Sequence, residues 1–366
     1  MATENSSKKK PGKKNSKSKA RGRMIIFGIE IVIILVMLVV VAKVFKTTEQ
    51  SEGPHFAQIE ESQIIVNSEV ADNEVLKGYW NIALFGVDAI NDSQLYKGSR
   101  SDSIMIASVN LDSGDIKLIS VYRDTYMNVG NDSYRKANSA YSTGGAEQAI
   151  GMLNMNLDLD ITDFVTVNYQ GLADCIDGLG GIYLDIDSEE IKHINNYQIT
   201  ISKDVMDGSY EPITETGLQL VNGLQAAAYC RIRYTAGDDF KRAERQREVI
   251  SAIEDQAKTA SLTTLTKVFT KVVDNVYTSI SKEDILAMLG DIAKYSIVEE
   301  GGFPNENLRT TGTIGTKGSC VIPLSLEENV VWLHEFLFDE PGYKVSSDVR
   351  EYSSIIKADT SAYLQK

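Results

Sequence analysis

The segment that most constrains this chain is an almost unbroken apolar run of nineteen residues at positions 24–42. A helix of that length, rising about 1.5 Å per residue, crosses a hydrocarbon core of about 30 Å. Glu30 is the one charge inside the run, and it lies near the basic end, where a carboxylate can stay hydrated or become protonated. The run therefore predicts a transmembrane helix rather than a buried core helix.

The flanks of this run predict its orientation. Residues 1–23 carry nine Lys or Arg side chains against one acidic residue, Glu4. Short basic flanks stay in the cytoplasm, so we expect a disordered cytoplasmic tail at 1–23, a membrane helix at 24–45 and an extracellular remainder. A cleavable signal peptide is the competing interpretation. The apolar stretch is long for a signal core, however, and no small-x-small cleavage site follows it.

The charge of the chain is unevenly distributed. The formal net charge is −14, of which the tail contributes about +8 and the remaining residues about −22. An acidic body argues against nucleic acid as a partner, because the phosphate backbone needs clustered positive charge over a broad face. The three histidines and three cysteines show no metal-ligand or catalytic spacing, and one disulfide remains possible.

The outer portion is expected to begin with a polar, acidic stalk at 46–78. From Tyr79 onward strand and helix patterns alternate, which indicates an α/β fold in a domain at 79–300. We predict strands at 81–86, 103–109, 116–122, 164–167 and 181–186, and helices at 146–153, 169–179, 244–258, 261–276 and from 281. Beyond Gly301 the pattern weakens to a strand at 319–322 and a helix at 325–338. The residues after Pro341 are expected to be mobile, and 301–366 is assigned no role.

Charged residues interrupt the apolar pattern where strands end, which is where ligand sites usually form in α/β sheets. These clusters lie at 86–88, 99–103, 122–125, 231–234 and 238–246. A pyrophosphate needs this mixture, because guanidinium forks and a carboxylate-held divalent metal can share its charge. Arg231 and Arg233 would share a face if their segment is extended. Arg242, Arg245 and Gln246 would share one helical face.

Each charged cluster also has a plainer interpretation. A single arginine is more often a surface ion-pair partner than a ligand contact. Asp88 and Asp102 could be turn or strand-end residues, and Lys136 could belong to the solvated start of the helix that follows it. The order of the clusters along the chain is therefore more informative than any one of them.

Taken in that order, the clusters resemble the LytR-CpsA-Psr family of Gram-positive cell-wall proteins. The matching stretch runs from about residue 81 to residue 258. The motifs are Gly86-Val87-Asp88, Arg100-Ser101-Asp102-Ser103, Tyr122-Arg123-Asp124-Thr125, Lys136-Ala137-Asn138, Asp177-Gly178-Leu179-Gly180-Gly181, Asn222-Gly223-Leu224, Arg231-Ile232-Arg233, and Asp239-Phe240 with Arg242, Arg245 and Gln246. No single motif is specific, whereas the ordered series behind a membrane anchor is.

The resemblance implies a three-layer αβα sandwich around a central mixed sheet. It also implies phosphotransfer of a polyprenyl-pyrophosphate-linked glycopolymer, such as teichoic acid or capsule, to peptidoglycan outside a Gram-positive cytoplasmic membrane. Residue by residue it assigns Asp88 and Asp102 to Mg2+ (or Mn2+), and it assigns Arg100, Arg123, Arg231, Arg233 and Gln246, supported by Lys136, to the pyrophosphate. Arg123 and Asp239 are the catalytic candidates, with Asp239 as the base and Asp238 as its rival. The helices at 146–153 and 169–179 would line a lipid tunnel.

The sequence departs from the family pattern in two places. Ala89 and Ile90 stand where the family often has an arginine, so that contact is missing or comes from Lys97 or Arg100. Tyr122 replaces the common proline before Arg123. The same charges would serve a lipid pyrophosphatase, and a non-enzymatic regulator that senses the wall is the other alternative. The sequence leaves open the polymer, the acceptor sugar, the lipid length and the oligomeric state.

Overall fold

The computed structural model describes residues 56–57, 59, 64–89, 91–204, 209–233, 237–280 and 296–364. Its strands are β1 (Tyr79–Val87), β2 (Ser101–Asn110), β3 (Asp115–Val121), β4 (Tyr126–Asn128), β5 (Tyr134–Lys136), β6 (Asp163–Asn168), β7 (Ile182–Ile186), β8 (Gly217–Val221), β9 (Val276–Thr278), β10 (Ser296–Phe303), β11 (Arg309–Thr313) and β12 (Ser319–Pro323). Its helices are α1 (Asp92–Tyr96), α2 (Ser139–Leu157), α3 (Tyr169–Leu179), α4 (Ser188–Asp204), α5 (Gly223–Tyr229), α6 (Asp238–Thr259), α7 (Leu262–Val272), α8 (Leu326–Phe338) and α9 (Ser347–Asp359).

The centre of the fold is a six-stranded sheet in the order β10-β3-β2-β1-β6-β9. β1, β2 and β3 pair antiparallel, while β6 runs parallel to β1 and β10 runs parallel to β3. The sheet is therefore mixed. Side chains alternate between its two faces, so that Met105 and Ala107 enter one core while Ile104 and Ile106 enter the other.

Helices cover both faces of the sheet. One core includes residues of α3, α5, α6 and α7 together with the β7–β8 hairpin. The opposite core includes residues of α2, α8 and α9 with β4 and β12. A sheet that is buried on both faces reads as continuous apolar runs, which is why these strands stood out in the sequence. The predicted α/β fold with a central mixed sheet is confirmed.

The C-terminal residues share this architecture. The boundary expected at residue 300 falls inside β10, which forms an edge of the central sheet. The expectation that residues after Pro341 are mobile is wrong, because α9 forms there and buries Val349 and Ile356 in the core that contains α8. The Ser346 hydroxyl caps this helix by accepting a hydrogen bond from the backbone N–H of Val349.

Residues 64–78 of the expected stalk pack on the domain. Val70 and Leu76 are buried, and the Asn67 side chain donates hydrogen bonds to the Met155 carbonyl and to Asp158. These contacts fix the position at which the chain enters β1.

Several N-terminal predictions and one helix prediction concern residues that the structure does not describe. The basic tail, the membrane helix at 24–45 and the helix expected from 281 all lie outside the described residues. Within the described ranges, no helix combines the length and the apolar character that crossing a membrane requires.

Candidate functional site

Two aspartates meet where β1 ends and β2 begins. Gly86 of β1 lies opposite Ser103, and Val87 lies opposite Ser101, so Asp102 is the extra residue of a β-bulge. A bulge re-aims the side chain that it contains. Asp88 directly follows Val87, and its side chain is 50% exposed, whereas that of Asp102 is 18% exposed. The strand register thus brings both carboxylates to the same end of these two neighbouring strands.

Arg123 links one of these carboxylates to the start of α6. It follows the end of β3, the strand next to β2 in the sheet. Its Nη1 donates to Asp102 Oδ1 at 2.7 Å, and its Nε donates to Asp239 Oδ2 at 3.3 Å. Charge-assisted hydrogen bonds of this kind are about twice as strong as neutral ones. Arg123 and Asp239, predicted as the catalytic pair, are therefore in direct contact.

Arg242 lies beneath the same two aspartates and is central to the cluster. Its side chain is only 2% exposed, its Nη1 is 3.1 Å from Asp239 Oδ1, and its Nη2 donates to the Asp102 carbonyl at 2.6 Å. Among the described residues, its Nε has no hydrogen-bond partner. Arg242 was not among the residues that the family resemblance assigned to the pyrophosphate. Its position three residues after Asp239 on one helix face was the available signal.

Arg231 and Arg233 approach the cluster from the segment after α5. This segment is not a strand. Its side chains nevertheless alternate in direction, because Ile232 is fully buried while the arginines on either side of it are not. Arg233 Nη2 lies 3.5 Å from Asp102 Oδ2, and Arg231 Nη2 lies 3.8 Å from Asp88 Oδ2. The Arg231 guanidinium also stacks on the rings of Tyr169 and Tyr197, at 5.1 and 5.7 Å from their centroids.

The charges of this cluster leave a positive surplus. Burial raises the pKa of Asp102, but the positive charges of Arg242 and Arg123 outweigh it and hold that pKa below its ordinary value. Burial, together with the charges of Arg242 and Arg123, lowers the pKa of Arg233. Arg123, Arg233 and Arg242 face Asp102 and Asp239, so three cations meet two anions. An anionic ligand at Arg233 would be stabilised by this excess.

An apolar cavity lies beside the cluster. It contains about 1010 Å³ of non-atom space, counting the open solvent at its mouth. Its walls come from β1, β2, β6, the start of α3, and the α6 residues Val249, Ile250 and Ile253. Asp102 and Gln246 line this cavity and also a smaller one of about 230 Å³ that Arg123, Asp239 and Arg242 line. The apolar space and the charged cluster therefore adjoin.

One of the two helices that were expected to line a lipid tunnel lines this cavity, and the other does not. The helix predicted at 169–179 contributes Tyr169 and Leu172 from its first turn. The helix predicted at 146–153 does not line the cavity, because α2 packs in the core on the opposite face of the sheet. Helix α6 supplies that wall instead.

Similarity to known proteins establishes the family of this chain. A model of the LytR_cpsA_psr family matches residues 38–317, which is more than half of the chain. The chain belongs to the LytR_cpsA_psr family. The resemblance noted in the sequence is thereby confirmed, and the match extends past residue 300 into the segment that had been assigned no role.

Relatives within the LytR_cpsA_psr family are similar over most of their length. The chain is 31% identical over 264 residues to the polyisoprenyl-teichoic acid–peptidoglycan teichoic acid transferase TagU of Enterococcus faecalis, covering 71% of this chain and 80% of that protein. It is 30% identical over 278 residues to the transferase of the same description, TagV, of Bacillus subtilis, covering 73% and 67%. The solved structure of the family protein YwtF (TagT) with bound octaprenyl pyrophosphate lipid matches with a TM-score of 0.54 at 20% identity, covering 76% and 99%. That likeness shows a shared fold.

Not every residue expected from the family motif joins the cluster. Lys136 pairs with Asp124 at 3.2 Å, next to Arg123 rather than with Asp102 or Asp239. Arg100 is exposed and forms no ion pair among the described residues. Arg245 is buried against Glu190 at 2.7 Å and does not face the aspartates. Gln246 lines both cavities, and the side chain of Asp238 is outside what the structure describes.

Replacing Arg242 with methionine should destabilise this family domain. The change removes a buried cation from beneath Asp102 and Asp239 while nearly keeping the volume of the side chain. Breaking a buried ion pair costs about 3–5 kcal/mol, and we expect the lower end because Arg123 still contacts both carboxylates. Urea unfolding measures the change. The exposed Arg135→Met is the control, and equal stability of both variants would contradict the assigned contacts.

Proposed function

We propose that this chain is an extracellular phosphotransferase that attaches a polyprenyl-pyrophosphate-linked glycopolymer, such as teichoic acid or capsule, to peptidoglycan. The observation that carries the proposal is an apolar cavity that adjoins a guanidinium cluster at Asp102 and Gln246. A lipid with a long hydrocarbon tail and a pyrophosphate head needs both surfaces side by side. The names of TagU and TagV describe the same transfer, which supports it.

The pyrophosphate would lie against the cationic side of the cluster. Arg123, Arg231 and Arg233 present guanidinium groups there, and the Gln246 amide lines the passage to the apolar cavity. Planar guanidinium forks suit phosphate oxygens. The exposed Arg100 would contact the phosphates from solvent, and Lys136 would support Arg123 through their shared neighbour Asp124.

Asp88 and Asp102 have the right chemistry to hold Mg2+ (or Mn2+). Magnesium is commonly bound by one or two carboxylates together with substrate phosphates. Asp88 is half exposed and its ion pair with Arg231 is long, at 3.8 Å, so its oxygens are accessible. Asp102 Oδ1 accepts a close hydrogen bond from Arg123, whereas Asp102 Oδ2 lies 3.4–3.5 Å from the nearest nitrogens of Arg242 and Arg233. When bound, the metal would neutralise charge on non-bridging phosphate oxygens. No group of three or more acidic, His or Cys side chains that could hold a metal occurs within the described ranges.

The proposed reaction exchanges one P–O bond for another. A sugar hydroxyl of peptidoglycan attacks the glycan-linked phosphorus, and the bond from that phosphorus to the bridging oxygen breaks, so that polyprenyl phosphate leaves. Asp239 would accept the proton of the attacking hydroxyl. Arg123 and Arg242 hold the Asp239 carboxylate in place, and Arg123 would also stabilise charge on the transferred phosphoryl group.

The membrane anchor at 24–45 would hold the domain at the surface that contains its lipid donor, with residues 1–23 in the cytoplasm. The entry point of the chain supports this arrangement. Phe56 forms a bridge with Thr278 of β9, and Val276 of the same strand lines the apolar cavity. Phe56, the first residue that the structure describes, therefore pairs with a strand that borders the cavity.

A transfer assay tests the proposed reaction. The protein is incubated with a polyprenyl-pyrophosphate-linked glycan, labelled in the glycan, with and without peptidoglycan. We expect labelled peptidoglycan and free polyprenyl phosphate only when the acceptor is present. Release of polyprenyl phosphate at the same rate without acceptor would identify a pyrophosphatase instead. Recovery of intact donor in both reactions would reject either activity.

Filling the cavity should weaken binding of the lipid. Ile253 is buried and lines the cavity from α6, and an Ile253→Trp substitution would displace lipid methylene groups. Each buried CH2 contributes about 0.8 kcal/mol, so losing two of them lowers affinity about tenfold. Affinity for a short-chain pyrophosphate should stay unchanged. Titrations with long- and short-chain lipids check this, and Leu218→Trp, at an exposed position, is the control. An equal loss for both lipids would contradict the assignment of the cavity.

A further inference from the structure

Two aromatic side chains flank the charged cluster, and each is a sequence neighbour of one of its members. Tyr122 precedes Arg123, and Phe240 follows Asp239. Their ring centroids are 4.7 Å apart with the planes at 81°, an edge-to-face contact. Because Tyr122 is only 7% exposed, its position is set by packing. A shift of either ring would move the backbone that carries Arg123 or Asp239.

Arg309, from the C-terminal segment, covers this aromatic pair. Its guanidinium carbon lies 4.0 Å from the Phe240 centroid and 4.8 Å from the Tyr122 centroid. Its Nη1 donates to the Tyr122 hydroxyl at 3.1 Å and to the Pro304 carbonyl at 2.8 Å. A planar guanidinium can stack on a ring and donate in its own plane at the same time, which an ammonium group cannot do.

Tyr122 also packs against β10. A Cβ on Gly302 of β10 would lie 2.1 Å from the Tyr122 hydroxyl oxygen, so the ring packs directly on the backbone of that strand. The backbone N–H of Tyr122 donates to the Phe303 carbonyl at 2.9 Å. Tyr122 therefore contacts both β10 and Arg309, which leaves few alternative positions for the loop that carries Arg123.

We infer that Arg309 is a positioning residue for the transfer reaction, acting through Tyr122 and Phe240 to fix Arg123 and Asp239. The inference rests on the proposed function and extends it to the segment after residue 300. Among the described residues Arg309 forms no ion pair with Asp102 or Asp239. Its contacts are with the two rings and with a backbone carbonyl. Its contribution is therefore geometric.

Three single variants and one double variant test the positioning role, with the exposed Arg135→Gln as the matched control. Arg309→Gln should lower kcat about tenfold or more, because small displacements of catalytic groups are costly, and should leave the KM for the lipid donor within about twofold. Arg309→Lys should recover part of the loss, since it keeps a cation over Phe240. Phe240→Leu should lower kcat to a similar degree. The double variant Arg309→Gln/Phe240→Leu should lose no more than the worse single variant.

The outcomes separate positioning from substrate contact. Losses that multiply in the double variant, or a raised donor KM in Arg309→Gln, would overturn the inference in favour of direct contact, and full activity of Arg309→Gln would overturn it outright. If Arg309→Gln fails to fold, Arg309→Lys and its double variant with Phe240→Leu provide the same comparison.

Amide hydrogen exchange at residues 122–125 measures positioning without any substrate. Faster exchange in Arg309→Gln than in Arg309→Lys supports the inference, and unchanged exchange overturns it. A wild-type protein that shows no transfer would reject the proposed function alone.

Discussion

An Arg123→Ala variant should remain folded and yet lose about 100- to 1000-fold in kcat for glycopolymer transfer. Arg123 donates to both Asp102 and Asp239, and it faces the smaller cavity where the phosphoryl group would lie. Removing one preorganised donor from a site of developing negative charge costs about that factor. Stability should fall by only about 1.5–3 kcal/mol, because Arg242 and Arg233 remain beside both carboxylates.

Steady-state transfer with a labelled lipid donor measures this loss, and urea unfolding checks the fold. Arg123→Lys separates charge from geometry, because it keeps the cation without the planar fork, and it should recover only a small part of the activity. Arg135→Ala, at an exposed position on β5, should behave like the wild type. A folded Arg123→Ala protein with full activity would show that the cluster does not carry the reaction.

An Asp102→Asn variant should lose at least about 100-fold in kcat while still binding the donor lipid. Asp102 is the shared counter-ion of Arg123, Arg233 and Arg242, and an amide can replace neither its charge nor all of its acceptor sites. Removing a negative charge increases the positive surplus. Binding of lipid pyrophosphate measured without divalent metal should therefore be unchanged or tighter. The exposed Asp112→Asn is the matched control, and unchanged kcat in Asp102→Asn would contradict the role given to Asp102.

The effect of Asp102→Asn on the free energy of unfolding should depend on pH. Despite burial, which raises it, the pKa of Asp102 is held below its ordinary value of 3.8 by Arg242, Arg123 and Arg233. A lowered folded-state pKa stabilises the protein fully above the ordinary value and loses that contribution as pH falls through the lowered one. The difference in unfolding free energy between wild type and Asp102→Asn should thus be constant near neutral pH and shrink below about pH 4. A difference that grows on acidification would contradict this sign.

Local pattern was sufficient to find most of the charged site. Asp88, Asp102 and Arg123 stand where apolar strands end, and strand ends meet at one edge of a sheet. The three-residue spacing from Asp239 favours Arg242, but spacing alone could not exclude Arg245, which lies three residues further along the first turns of α6. A tertiary contact distinguishes the two arginines. Glu190 of α4, 55 residues away in sequence, pairs with Arg245, whereas Arg242 contacts the aspartates. The bulge that re-aims Asp102 likewise depends on the register between two strands.

In the C-terminal segment one helix could have been predicted from the sequence, whereas the position of one strand could not. The apolar spacing of Val349 and Ile356 behind the capping Ser346 is visible in the sequence and would have predicted α9. The position of β10 beside β3 could not be read locally, because parallel pairing joins residues far apart in the chain. Its consequence for the site, the contact of Arg309 with Tyr122 and Phe240, was equally invisible.

An experimental structure of this chain with a bound polyprenyl pyrophosphate is the most direct test of the proposed site. We predict phosphate oxygens within about 3 Å of the guanidinium groups of Arg123 and Arg231, and a hydrocarbon chain in the cavity beside Val249 and Ile253. A lipid bound elsewhere on the domain, with its phosphates away from these arginines, would contradict the proposed site.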